Sequence, residues 1–356
     1  MDRASQNKVT VFIPTHNRPK YLRRALDYLQ GSGLDILVCD SSETRQSLAN
    51  PDGLIRYLHF PNIGYVEKLH RALQEVRTPF MVFMADDDFA IPEAVLKSVA
   101  FLEAHPDFVS CMGFSFRFAV IEEEIVFWAK GCRFERLGET PSERFFQGGN
   151  TPYYSVLRTD ILQKTFGLIA NSQLNQKRLP TSRERTFYYY VDLALTTLLA
   201  AGGKFKRLDI PFGARENSLN REPATRMHGD FYDGDVAAFH QDLIEGAGRL
   251  MGDADGACED ALRRCLALQF CQRLVWAESQ TSEAESQSLE EASPATNHSL
   301  LGRWLPASLK KRLQSYRLRQ SFRRISRNSG CDWTMCFLAT DKMQRIRTFI
   351  LSHEVD

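Results

Sequence analysis

The chain has 356 residues, 43% of them hydrophobic, and its 45 basic and 44 acidic side chains leave a formal charge of +1. That is enough chain for one large or two ordinary domains with a sizeable core, and the charge balance argues against a dedicated nucleic-acid binder. The eight cysteines (39, 111, 132, 258, 265, 271, 331 and 336) form no C-x-x-C pair, so zinc and c-type haem attachment find no support. Cys39, Cys111, Cys265 and Cys271 lie in apolar segments and read as reduced core residues. Met1 to Lys8 is polar, and no apolar run approaches the ~18 residues of a membrane span. The expectation is a cytoplasmic protein without signal peptide or span.

In chain order, Val9-Thr10-Val11-Phe12-Ile13 is a buried strand ending at Pro14. Pro19 opens a helix with Leu22, Ala25, Leu26 and Leu29 on one face, stopped at Gly31. Ile36 to Cys39, ending at Asp40, and Ile55 to Leu58 are the next strands. Val66, Leu69, Leu73 and Val76 mark a second helix, Pro79 to Met84 a fourth strand, and Glu93 to Ala104 a third helix. This alternation predicts an α/β fold, a mostly parallel sheet with helices on both faces. Phe108 to Phe118 and Ile125 to Ala129 read as further strands. Phe145 to Tyr154, rich in Gly, Asn and aromatics, reads as a binding loop. Thr186 to Ala201 reads as a helix ending at Gly202-Gly203, and Phe205 to Ile210 as a closing strand.

The expected division is a domain over 1–220, a helical extension over 221–278, a Ser/Glu-rich linker over 279–299 and a basic amphipathic helical tail over 300–356. Within that tail, residues 303–327 hold nine basic residues and no acidic one, interleaved with Trp304, Leu305, Leu309, Leu313 and Phe322. A solvated helix face is the default reading, and a nucleic-acid patch has no accompanying motif. The preferred reading is peripheral attachment to the anionic inner face of the cytoplasmic membrane.

Asp86, Asp87 and Asp88 follow directly on the fourth strand. Uncompensated adjacent carboxylates repel and are costly to bury. Hard oxygen ligands at a strand end suit Mg²⁺ or Mn²⁺ shared with the phosphates of a nucleotide. The competing reading is an acidic turn whose Asp88 caps the helix that begins near Pro92. Three other polar groups stand where a parallel sheet presents its ligand edge. They are Pro14-Thr15-His16-Asn17-Arg18 after the first strand, Asp40-Ser41-Ser42 after the second, and Asn62-Ile63-Gly64 before the second helix.

This order of motifs resembles the family 2 glycosyltransferases, which have the GT-A fold and a DxD motif. The resemblance spans roughly residues 8 to 220 and is dense over 9 to 92. It is closer to members acting on bacterial surface polysaccharides than to processive synthases, whose Q-x-x-R-W motif is absent. It implies an inverting, metal-dependent transfer of a sugar from a nucleotide diphosphate, UDP first, to a saccharide or lipid-linked hydroxyl acceptor. It also implies residue roles. Pro14, Thr15 and Arg18 would line the nucleotide pocket, with Asn62 nearby, and Asp40 would contact base or ribose. Asp86 and Asp88 would be the DxD pair reaching ribose, metal and diphosphate, and Asp87 would help hold sugar or metal. Lys68 departs from the Asn of many relatives and would pair with a phosphate or with Asp86.

An acceptor alcohol needs a general base. Asp192 in Tyr190-Val191-Asp192-Leu193 is the candidate, where the family carries an E-D pair and this chain has Val191 in place of the Glu. Its alternative role is to stabilise a helix N-terminus; Glu184 and Asp209 are the next candidates for the base. His228 and Asn217 are candidates to complete a metal shell, against the reading of a solvated loop, and Arg215, Arg221 and Arg226 either clamp the leaving diphosphate or form a solvated basic loop. Trp128, Phe145, Phe146, Tyr153 and Tyr154 are candidates for stacking on sugar faces. Two other functions compete. A sugar-phosphate nucleotidyltransferase needs a Gly-rich loop after the first strand, where this chain has Pro-Thr-His-Asn-Arg. A catalytically inactive membrane-associated binding module is opposed by the intact Asp40, Asp86, Asp88 and Asp192.

Overall fold

The computed structural model describes residues 8–121, 124–129, 134–147, 152–172, 181–216, 234–251, 259–265 and 340–353. The first half alternates as the sequence predicts: β1 (Val9–Thr15), α1 (Pro19–Leu29), β2 (Asp35–Asp40), β3 (Ile55–His59), α2 (Tyr65–Leu73) and β4 (Phe80–Phe83). β5 (Asp88–Ala90), α3 (Pro92–Ala104), β6 (Phe108–Ile121) and β7 (Glu124–Ala129) follow. Then come α4 (Pro141–Phe146), β8 (Val156–Arg158), α5 (Thr159–Ala170), α6 (Thr181–Gly202), β9 (Lys204–Glu216), α7 (Gly234–Met251) and α8 (Asp341–Ser352). Residues 259–265 are also helical.

Local chemistry explains the boundaries. Pro19 and Pro92 sit in the first turns of α1 and α3, where a missing N–H costs nothing. Gly31, at φ +73°, lets the chain turn away two residues after α1. α2 carries Glu67 in its first turn and His70 and Arg71 in its last, matching the helix dipole. Thr140 and Glu143 cap each other's backbone N–H groups at the start of α4. α4 is a finding against the expected loop, since it ends at Phe145-Phe146.

The nine described strands form one sheet in the order β3-β2-β1-β4-β8-β6-β9-β5, with β7 paired to β6. β1, β2, β3 and β4 are parallel. β8 runs against both β4 and β6, so β6 and its parallel neighbour β9 point the same way as β4. The mostly parallel α/β sheet is therefore present. The carboxyl ends of β1, β2, β4 and β9 share one edge. The strand order reverses between β1 and β4, which is where open α/β sheets place their ligand crevice.

Central strands are apolar on both faces, as helices covering both sides require. Val9, Val11, Phe12 and Ile13 of β1 and all of β4 are buried, with Phe12 edge-on to Phe83 at 5.1 Å. β8 and α5 were not foreseen from the sequence, nor was the extension of β9 to Glu216. The short β8 is too brief for its alternation to register. Among the described residues no helix is long and apolar enough to cross a membrane.

Of the expected basic tail, only 340–353 lies within the described residues; the basic stretch 303–327, the linker over 279–299 and His228 lie outside them. α8 packs against β7 and β9, burying Met343, Ile346 and Ile350.

β5 pairs antiparallel with β9, Asp88 opposite Arg215 and Ala90 opposite Gly213. The strands approach closely at Gly213, where an added Cβ would lie 2.3 Å from the Phe89 carbonyl oxygen. Gly213→Ala is therefore expected to force β5 from β9 and to lower stability by about 1–3 kcal/mol, as overpacking does. Urea unfolding measures this, and an unchanged midpoint would contradict the close approach.

Candidate active site

The site is assembled at the β1/β4 crevice. The Asp88 N–H donates to the Ala85 carbonyl at 3.0 Å, closing a turn that takes the chain from β4 into β5. This turn presents the three consecutive carboxylates at the sheet edge. Asp88 begins a strand and does not cap α3, whose N-cap is Ile91 with no side-chain cap. Thr15, the last residue of β1, donates its hydroxyl to Asp86 Oδ2 at 2.7 Å across the crevice. Arg18, just before α1, bridges two carboxylates: Nη1 to Asp86 Oδ1 at 2.6 Å and Nη2 to Asp87 Oδ2 at 2.9 Å. Its guanidinium also lies 4.1 Å from the Tyr21 ring centroid.

Asp86 is only 3% exposed. Burial pushes its carboxyl up to about 6, although the Thr15 hydrogen bond and the Arg18 charge act in the opposite direction. Burial raises Asp88 as well; Arg215 opposes the shift and Asp87 adds to it. Asp88 Oδ1 accepts the Glu216 N–H at 3.0 Å, and Oδ2 lies 3.4 Å from Arg215 Nε. That Nε is buried and makes no hydrogen bond. The Arg215 guanidinium is stacked 3.4 Å from the Tyr154 ring centroid. Glu216 in turn pairs with the buried Arg24 of α1. Glu216 and Arg24 had no signal in the sequence, because their roles depend on β9 reaching the edge.

Asp40 ends β2 and is 0% exposed. Its Oδ1 accepts the Ser42 N–H and hydroxyl at 2.7 and 2.5 Å, and its Oδ2 accepts the Tyr57 hydroxyl. Both of its oxygens thus face donors of the protein, while His16, Ser41, Ser42, Tyr57 and His59 form the surrounding polar wall. Lys68, 3% exposed, donates to the Thr15 carbonyl at 2.8 Å and to Ser41 Oγ at 2.9 Å. It therefore ties the ends of β1 and β2 together. Burial lowers its pKa, and Cys39, Asp40 and Asp86 oppose that shift. Pro14 is half-buried in β1, and Asn62 is exposed, its φ of +58° making the turn before α2.

Asp192 is half-buried on α6, about three turns beyond Thr181, so the helix-start reading fails. Its charge acts on both Tyr153 and Tyr154, and Tyr154 also feels Asp88 and Asp87. Burial is the first cause that holds both phenols above their ordinary value; Tyr65, Tyr154 and last Asp192 add to it at Tyr153, and Asp88, Asp87 and Asp192 add to it at Tyr154, where Arg215 opposes them. Tyr153 stacks on Phe83 at 4.3 Å and hydrogen-bonds Tyr65 through its hydroxyl. The structure thus brings Asp192, Tyr154, Arg215 and Asp88 into one neighbourhood. Arg144 of α4 stabilises the far end of α6 by donating to the Ala200 and Ala201 carbonyls at 2.7 and 3.0 Å.

Other candidates fall elsewhere. Asp209 is exposed midway along β9, and Phe145 is buried while Phe146 is exposed. Asn217, Arg221, Arg226 and His228 lie outside the described residues, as do the side chains of Glu184 and Trp128.

Among the described residues no group of three His, Cys, Asp or Glu side chains converges on one point. Asp86 has both oxygens engaged by Thr15 and Arg18. A complete protein cage is therefore absent from these residues. They fit the other mode, in which one or two carboxylates share a hydrated cation with substrate phosphates. Asp88 is suited to it, with one oxygen held only loosely by Arg215.

Residues 10–166 match the model of Glycosyl transferase family 2. No curated protein matches the chain significantly. The crystal structure of S. aureus TarS 1-349 is similar at 14% identity and a TM-score of 0.43, covering 78% of this chain and 92% of that one. The same protein in complex with UDP-GlcNAc is similar at 14% identity and a TM-score of 0.43, covering 73% and 71%. CMP:2-keto-3-deoxy-manno-octonic acid synthetase complexed with CTP gives 13% identity and a TM-score of 0.31, covering 58% and 91%.

Tyr57→Phe removes the hydroxyl that donates to a fully buried Asp40 oxygen. The expected cost is about 1–3 kcal/mol, the penalty for an orphaned buried acceptor. Denaturant midpoints of the two proteins measure it, and equal midpoints would show that Asp40 is not held through Tyr57.

Proposed function

We propose that this chain, whose residues 10–166 match the model of Glycosyl transferase family 2, is a glycosyltransferase that uses a nucleotide-diphosphate sugar, UDP-linked in the first instance. It transfers the sugar with inversion to a hydroxyl acceptor of a bacterial surface polysaccharide or glycolipid. The observation that carries this reading is the meeting of Thr15, Arg18 and Asp86 across the β1/β4 crevice, with Asp88 and Arg215 beside them.

The chemistry follows from charge. In this reading the nucleoside lies toward Asp40, Ser41 and Lys68, and the diphosphate toward Arg18 and Arg215. Guanidinium groups suit phosphate oxygens because their planar forks match them. A divalent cation, Mn²⁺ or Mg²⁺, held by Asp88 with Asp86 or Asp87 and the phosphates, would supply Lewis-acid charge for the leaving group. The acceptor oxygen forms its bond to the anomeric carbon as the bond from that carbon to the β-phosphate oxygen breaks. The electron pair leaves with the nucleoside diphosphate. Asp192 takes the acceptor's hydroxyl proton, and attack from the face opposite the leaving group inverts the centre. The half-buried position of Asp192 near Tyr153 and Tyr154 supports this role.

Attachment to an anionic membrane through residues 303–327 belongs to the same proposal. Its support is the run of nine basic residues without an acidic one, interleaved with apolar anchors.

A panel of nucleotide sugars, scored by thermal stabilisation and by nucleoside diphosphate release, tests the donor class. UDP-sugars with Mn²⁺ are expected to stabilise and to turn over, and no response to any nucleotide sugar would overturn the reading. UDP affinity is expected to fall at least tenfold without metal and in Asp88→Ala, by calorimetry; equal affinities would remove the cation. Asp192→Asn keeps shape but cannot accept a proton, so kcat should fall about 10²–10⁴-fold with donor affinity preserved. Near-normal turnover would move the base to Glu184, since Asp209 lies midway along β9, away from the site edge.

A further inference from the structure

β5 has three residues and lies at the end of the described sheet, where β9 is its one ladder partner among the described residues. So short an edge strand is held weakly by its backbone alone. Its side chains alternate between faces. Asp88 faces Arg215, whereas Phe89 is buried in the core at 2% exposure. Rings from three distant parts of the chain hold Phe89. Tyr28 of α1 meets it edge-on at 4.9 Å, Phe118 of β6 lies at 5.8 Å, and Phe349 of α8 at 6.0 Å. Phe349 also meets Tyr28 at 5.3 Å, so the rings of Tyr28, Phe89 and Phe349 form a closed triangle.

The same small region carries polar ties to the site. The Arg24 guanidinium lies 5.2 Å from the Phe89 ring and pairs with Glu216, whose N–H donates to Asp88. α8 is anchored independently of its ring by buried Met343, Ile346 and Ile350, and Lys342 lies 3.9 Å from Glu93 on α3. A helix near the end of the sequence therefore closes the back of the strand that begins with Asp88.

We propose that α8 is a positioning element of the donor site, with Phe349 locking Phe89 and thereby setting Asp88 opposite Arg215. What the site binds rests on the function proposed above; the placement of Asp88 does not. Removing the Phe349 ring leaves space beside Phe89 and Tyr28. Phe89 can then shift, and its neighbour Asp88 moves with it. Misplacement of a binding group by about 1 Å is enough to be felt strongly in affinity and rate.

The test compares Phe349→Ala, Phe349→Leu and Met343→Ala in the full-length chain. Met343 is buried on the same helix and controls for loss of packing. Three quantities are measured: the thermal midpoint, amide exchange over residues 86–91 without ligand, and UDP affinity with Mn²⁺. Phe349→Ala is expected to speed exchange over 86–91 at least tenfold, leave β1 and β2 unchanged, and weaken UDP at least fivefold. Phe349→Leu fills part of the space and is expected to give intermediate values. It carries the comparison alone if the alanine variant does not fold. Met343→Ala is expected to lower the midpoint without either local effect. Matching exchange and affinity for the Phe349 variants and Met343→Ala would overturn the proposal, as would unchanged exchange over 86–91. If the wild type binds no nucleotide, the functional reading fails, and exchange alone still decides the positioning claim.

Discussion

Three consecutive carboxylates at the end of a buried strand are the constraint on which the rest of the site depends. Their charges repel, and Asp86 and Asp88 are almost fully buried. The fold answers with donors from separate elements. Thr15 comes from β1, Arg18 from the entry to α1, and Arg215 and the Glu216 amide from β9. Even so, burial leaves Asp86 raised to about 6. Compensation is therefore partial, and such sites are where perturbed groups with chemical roles concentrate.

Meeting that constraint dictates the topology around it. β1 and β4 must be neighbours for Thr15 to reach Asp86, and they are, at the reversal of strand order. β9 must run in the same direction as β4 to deliver Arg215 to the same edge. The antiparallel β8 between β4 and β6 keeps that sense. β5 then turns back along β9, which places Asp88 and Arg215 opposite each other in register. Because β5 is so short, its position depends on what packs behind it. α1, β6 and α8 meet at Phe89 for that reason.

Much of this was legible in the sequence where periodicity and punctuation are strong. The runs at Val9–Ile13 and Phe80–Met84, the Leu22/Ala25/Leu26/Leu29 face and the Pro and Gly stops mark every element of the first hundred residues but β5 within a few positions. The order of polar residues after each strand marked the ligand edge. The pairings inside the edge were not legible. Whether Arg18 meets Asp86 or a phosphate depends on a turn of the chain, and Lys68 proved to bind the Thr15 carbonyl and Ser41. The apolar pattern starts α6 near Thr186 because Arg183, Glu184 and Arg185 interrupt it, whereas the helix begins at Thr181, so Asp192 lies inside it. β5 is three residues long, below what alternation can signal. Contacts between Phe349 and Tyr28, more than three hundred residues apart in the sequence, leave no local trace.

The central claim is that the β1/β4 crevice receives the diphosphate of a nucleotide sugar beside this carboxylate cluster. A crystal structure of the full-length protein soaked with UDP and Mn²⁺ tests it most directly, with anomalous scattering locating the metal. The account predicts uridine near Asp40 and Lys68, the diphosphate beside Arg18 and Arg215, and manganese on Asp88. A nucleotide bound elsewhere, such as the cleft lined by Lys164, Asn171, Asp242 and Arg249, with the crevice still closed by the Arg18 pairs, would contradict it.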